Sequence, residues 1–107
     1  MKYIIVLMTA PNKKEAEKIV HQLLEDRLIA CGNILESVSS LFWWKEMIEQ
    51  ENESLVLMKS NEKMFKTLVQ RIQELHSYEV PEILALPIVA GSQSYLNWMK
   101  NNLEVVK

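Results

Sequence analysis

The chain has 107 residues, 49% of them hydrophobic and 24% charged, which is the balance and the length of one soluble globular domain. Its net charge of -2 leaves no electrostatic footprint for gripping a phosphate backbone, so nucleic acid is excluded as a natural partner. Two glycines, Gly32 and Gly91, exclude a glycine-rich phosphate loop, and a single cysteine, Cys31, excludes an intrachain disulfide or a multi-cysteine metal site.

Tyr3 to Met8 is a continuous apolar run, partly β-branched, as expected of a strand covered on both faces. It is too short to cross a membrane and no small-residue cleavage site follows it. With the lone thiol, this reads as a cytoplasmic protein without a membrane partner. Asn12, with Glu15 three residues later, forms a capping-box pattern. Ala16, Ile19, Val20, Leu23 and Leu24 then recur at the intervals of an amphipathic helix, with His21 at the edge of that stripe.

The helical period disappears from Ala30 to Trp44, and a second extended segment runs from Met47 to Lys59, so the pair reads as a β-hairpin turning at Lys45-Glu46. Ser60 or Asn61 can cap a second helix, whose stripe is Phe65, Leu68, Val69, Ile72 and Leu75 and which Pro81 stops. Glu82 to Ala90 is extended again, with Pro87 confining it to an edge or a bulge. A short last helix carries Tyr95, Leu96, Trp98, Met99 and Leu103. The order βαββαβ plus a terminal helix predicts an α+β, ferredoxin-like sandwich over a single domain, residues 1–107, with an antiparallel sheet and its helices on one face.

The hairpin is too long for such a domain. Fourteen extended residues span about 46 Å at ~3.3 Å each, more than the width of a compact chain of this length. The Ser37–Ser54 region must therefore project, carrying Leu41, Phe42, Trp43, Trp44, Met47 and Ile48. That apolar surface calls for burial against other copies in a closed ring.

Candidate chemistry is sparse. Cys31 lies between Ala30 and Gly32, with no base beside it, and reads as a buried structural thiol. His76 ends the second helix and opens the run Ser77-Tyr78-Glu79-Val80-Pro81-Glu82. One imidazole, one phenol and two carboxylates at a loop suit a divalent metal or a small polar ligand; helix capping and loop packing account for them equally well. Glu49, Glu51 and Glu53 alternate, so all three face one side, too far apart to chelate one small ion; the pattern reads as a solvated negative strip. Met8, Met47, Met58, Met64 and Met99 form no thioether cluster and read as core. No nucleophile–base pair is visible by spacing, so catalysis by Cys31, His76 or Glu79 is not expected and the chain does not read as an enzyme.

Leu7-Met8-Thr9-Ala10-Pro11, Leu28-Ile29-Ala30-Cys31-Gly32-Asn33, Trp43-Trp44-Lys45, His76-Ser77-Tyr78-Glu79-Val80-Pro81-Glu82-Ile83 and Tyr95-Leu96-Asn97-Trp98 together resemble the CutA divalent-cation tolerance proteins, in the same order and spacing. The resemblance implies a cytoplasmic homotrimer with hairpins extended across neighbours, in which Phe42, Trp43, Trp44, Met47, Ile48 and Trp98 form the trimer interface. It also implies a role in tolerance of copper and other divalent cations, no required cofactor, and no defined reaction. Some copper-linked members carry Cys where Met8 stands and a second His where Leu75 stands, so the implied copper site reduces to His76 with Met8. Ser77 replaces a usual proline. Glu46 replaces a usual glycine, and a positive φ there would be strained. The alternative is a trimeric sensor similar to the PII signalling proteins, taking a small metabolite or a partner protein at intersubunit clefts lined by Lys59, Tyr78, Glu79 and Glu82.

Overall fold

In the computed structural model, which describes residues 2–103, strand β1 (Tyr3–Ala10) leads into helix α1 (Lys13–Glu25), followed by β2 (Cys31–Trp44) and β3 (Met47–Asn61). A 3₁₀ turn (Glu62–Met64) precedes helix α2 (Phe65–Leu75), and β4 (Ile83–Pro87) and helix α3 (Gln93–Asn102) complete the chain. Met1 and residues 104–107, the ends of the domain expected over 1–107, lie outside the described residues. The four strands form one antiparallel sheet in the order β2-β3-β1-β4, the ferredoxin-like arrangement that the element order predicts.

Local sequence accounts for α1. Asn12 is extended and its side-chain oxygen accepts the Glu15 N–H at 2.8 Å. Ala16, Ile19, Val20 and Leu23 are buried, whereas Leu24, expected on the same stripe, is 36% exposed. The helix lies so close to β2 that a β-carbon on Gly32 would sit 2.7 Å from Val20 Cγ1. A backbone hydrogen atom is all that fits between them. The Asp26 carboxylate, held below its ordinary pKa chiefly by the Arg71 hydrogen bond, joins the end of α1 to α2 at 2.8 Å.

Two boundaries differ from those the sequence predicts. Asn61 caps the 3₁₀ turn through the Met64 N–H rather than opening α2 directly, and α2 ends at Leu75, well before Pro81, because His76 turns extended at φ -81°, ψ 140°. β4 is correspondingly shorter than the 82–90 segment expected, with Pro87 as its last residue on the edge of the sheet.

The expectation that β1 is covered on both faces is corrected. Ile4, Val6 and Met8 point into the core with Val56, Met58, Leu68 and Ile72, under the helices. Ile5 and Leu7 point the other way, where cross-strand pairing aligns them with Leu57, Leu84 and Leu86. That second face is apolar and lies away from α1 and α2; Leu84 and Leu86 are about half exposed, while at its β2 end Tyr95 of α3 is hydrogen-bonded to Cys31.

The hairpin projects as its length requires, and the molecule measures 44 × 26 × 23 Å. Beyond the register shift between Leu35 and Val38, where Ser37 has φ 58°, only β2 and β3 continue. Trp44 pairs with Met47 across a two-residue turn in which Lys45 and Glu46 have φ 50° and 66°. The strain expected at Glu46 is therefore present, with Lys45 sharing it. Trp43, Leu41, Met47 and Ile48 are each more than 60% exposed.

Two substitutions test this account by denaturant midpoint. Gly32→Ala should destabilise by about 1–3 kcal/mol, the usual cost of overpacking, because α1 must move away from β2. Glu46→Gly should stabilise by up to ~1 kcal/mol, since glycine enters the left-handed region without a steric penalty.

Candidate functional site

The densest polar cluster forms where the chain leaves α2 and crosses the end of β1. His76 is extended, and its fully buried ring meets the backbone on both sides. Nε2 lies 2.7 Å from the Thr9 carbonyl oxygen, an acceptor, so Nε2 carries the proton. Nδ1 then accepts the Tyr78 N–H at 3.0 Å, which makes the imidazole neutral and leaves neither ring nitrogen with a free lone pair.

Glu15 stands beside this ring, its carboxylate 3.5 Å from Nδ1. It accepts from the Ser77 N–H at 3.0 Å and from the Ser77 hydroxyl at 2.8 Å. The reciprocal half of the expected capping box is thus spent on the far loop. Ser77, in the place where proline is usual, supplies two donors that a proline lacks. Tyr78 packs its ring 4.7 Å from the imidazole and donates its hydroxyl to Glu53 Oε2 at 2.7 Å. Burial first, and the Glu53 hydrogen bond second, push the phenol well above its ordinary pKa.

Glu53 corrects the reading of a solvated acidic strip: Glu51 is exposed, but Glu53 is 7% exposed beneath the loop. Cys31, expected to be buried, is half-buried on the open sheet face, with Lys59 Nζ 3.8 Å from its sulfur. Lys59 also donates to Asn33 Oδ1.

The other candidates are scattered. Met8 is completely buried in the core. Lys59 and Glu53 are six residues apart on β3, about 20 Å at ~3.3 Å per residue, so one subunit does not bring Lys59 to Tyr78. Glu79 and Glu82 are exposed at the loop. Phe42, Trp43, Trp44, Met47 and Ile48 line the projecting hairpin, and Trp98 is about half exposed against Tyr95, ring centroids 5.4 Å apart. Among the described residues, no three His, Cys, Asp or Glu side chains converge to cage a metal ion.

Residues 4–102 match the family model described as CutA1 divalent ion tolerance protein. This chain is a member of the CutA family. A divalent-cation tolerance protein CutA of Thermus thermophilus is 40% identical over 92% of this chain and 95% of its own length. The chloroplastic CutA 1 of Oryza sativa is 34% identical over 92% of this chain, but the chain spans only 56% of that relative. The crystal structures of CutA1 from Oryza sativa and of the Thermus thermophilus protein superpose with TM-scores of 0.94 and 0.93, at 33% and 38% identity. The first covers 97% of this chain and 95% of its own, the second 95% and 99%.

In this CutA chain Thr9, Glu15 and Glu53 are the partners that lock the loop, a role unread in the sequence, where Glu15 is already explained by the cap and Glu53 by the acidic alternation. Tyr78→Phe should cost about 1–3 kcal/mol by leaving the buried Glu53 carboxylate without its donor. The sign of the pH effect follows from the raised phenol pKa. Tyr78 contributes fully below its unfolded value near 10 and loses that contribution as pH rises further. Chemical denaturation between pH 8 and 11.5 should fall more steeply above pH 10 for the parent protein than for Tyr78→Phe.

Proposed function

We propose that the chain works as a homotrimer in the tolerance of divalent cations, copper among them, and that its working surface is completed by assembly. The observation that carries this reading is the apolar sheet face left open by α1 and α2, continuous with a projecting aromatic hairpin. Ile5, Leu7, Leu57, Leu84 and Leu86 would be an aggregation hazard on a free subunit. An unpaired edge strand as long as β2 favours pairing with another copy, a head-to-tail contact of suitable rotation closes into a ring, and the family resemblance supports three copies. Phe42, Trp43, Trp44, Met47, Ile48 and Trp98 are the interface residues of this reading.

Cation contact is weak within one subunit and depends on neighbours. His76 has both nitrogens engaged and Met8 is enclosed, so both serve the fold before they serve a metal. The exposed carboxylate of Glu51 on the hairpin supports a cation contact shared between copies in this reading. The second reading, a sensor like the PII proteins, is supported by the separation of Lys59 from Tyr78 and Glu79. A ligand touching them all requires two subunits. Neither reading includes catalysis.

No helix among the described residues is long and apolar enough to cross a membrane. The unpaired thiol supports a cytoplasmic location, although relatives are named chloroplastic and periplasmic.

Sedimentation velocity should give three times the chain mass, and Trp43→Glu with Ile48→Glu should dissociate the assembly. A monomeric parent protein would overturn the reading. Calorimetry with Cu(II) should show weak binding that the dissociated variant loses and that His76→Gln keeps. Loss of binding in a folded, trimeric His76→Gln would instead make His76 the ligand.

A further inference from the structure

Helix α1 ends in a pattern that favours glycine. The Leu28 N–H donates to the Leu23 carbonyl at 3.0 Å and the Arg27 N–H to the Leu24 carbonyl at 3.0 Å, the paired bonds of a Schellman closure. The left-handed residue of that closure is Arg27, at φ 61°. A β-carbon in this conformation costs about 1 kcal/mol relative to glycine, and the two backbone bonds need no side chain.

The guanidinium lines a cleft of about 400 Å³ between the end of α1, the residues entering β2 and the end of α3. That volume falls within the range of small-molecule sites. Arg27 Nη1 donates to Asn102 Oδ1 at 3.4 Å, and no ion pair neutralises Arg27 among the described residues. The adjacent acid, Asp26, is bonded to Arg71 at 2.8 Å and to Gln22 at 3.0 Å. Glu25, also in the cleft, meets His21 through Oε1 at 3.1 Å, which leaves Oε2. Leu24, the stripe residue that the fold leaves uncovered, supplies the apolar surface of the cleft, with the buried Ile29 and Ala30 behind it.

A cation, a carboxylate and an exposed aliphatic side chain in one cleft describe a zwitterion with an apolar tail. We propose that this cleft binds a free α-amino acid with an aliphatic side chain. Its carboxylate meets the Arg27 guanidinium, its ammonium meets Glu25, and its side chain covers Leu24. One guanidinium facing a carboxylate is the wrong charge balance for a nucleotide or inorganic phosphate. The cleft lies at the end of β2 opposite the hairpin turn, so the proposal stands apart from the cation reading.

The test is calorimetry of the assembled protein with L-leucine, L-leucinamide, 4-methylpentanoate and glycine. Saturable binding of leucine is expected, with each of the other three at least tenfold weaker, because each lacks one of the recognised groups. Arg27→Gly should raise the denaturation midpoint, since the turn prefers glycine, and weaken leucine at least tenfold. No saturable leucine binding, or binding undiminished in the stabilised Arg27→Gly protein, overturns the proposal. Equal binding of 4-methylpentanoate overturns the role of Glu25 and with it the choice of a zwitterion.

Discussion

A four-stranded sheet has two sides, and two helices that follow the split βαβ connection can cover only one of them. In this chain both sides are apolar. Val6, Met8, Val56 and Met58 are enclosed beneath α1 and α2, while Ile5, Leu7, Leu57 and Leu84 alternate with them toward open space. An alternating amphipathic strand would leave a polar outer face. The continuous apolar run of β1 thus leaves a second apolar face that α1 and α2 do not cover. The long β2 and β3 and the exposed hairpin aromatics extend that uncovered apolar surface beyond the body of the sheet.

The loop after α2 solves a different problem. A helix end must satisfy its last carbonyls, and a loop crossing a sheet must not leave buried polar groups unpaired. His76 does both at once. Its N–H bonds to Ile72 as the helix closes, and its ring reaches a strand carbonyl on one side and accepts the Tyr78 amide on the other. Glu15 and Glu53 then hold the two residues that follow. This arrangement turns what looks like a set of metal ligands into a set of mutually satisfied partners, and among the described residues no buried side-chain nitrogen or oxygen is left without a hydrogen bond.

Legibility in the sequence followed the range of the interactions. The Asn12 cap, the α1 stripe and the long hairpin rest on neighbours within a few residues, and their patterns were readable directly. The end of α2 was not, because Pro81 is the visible helix breaker while the chain turns earlier at His76. Its ring bonds to a residue 67 positions away. Glu53 was misread for the same reason: alternation places it on a face but does not reveal that Tyr78 lies over it. The half-buried setting of Cys31 depends on Lys59, brought opposite by strand register rather than by sequence proximity. Family resemblance supplied the architecture that these distant contacts serve, and left their atomic partners open.

The irregularity between Leu35 and Val38 governs more than a local kink. Before it, Cys31, Asn33 and Leu35 pair with Lys59, Leu57 and Leu55 on the open side; after it, Val38, Ser40, Phe42 and Trp44 pair with Glu53, Glu51, Glu49 and Met47. The extra residue shifts the phase of β2 by half a pleat while β3 keeps its own. Phe42 and Trp44 therefore share a side with the open sheet face, and Leu41 and Trp43 are turned to the opposite side. Ser37, with its left-handed backbone, thus acts as a phase-setting residue: it decides which side of the hairpin presents Phe42 and Trp44 and which presents Leu41 and Trp43, at a distance of several residues from any of them.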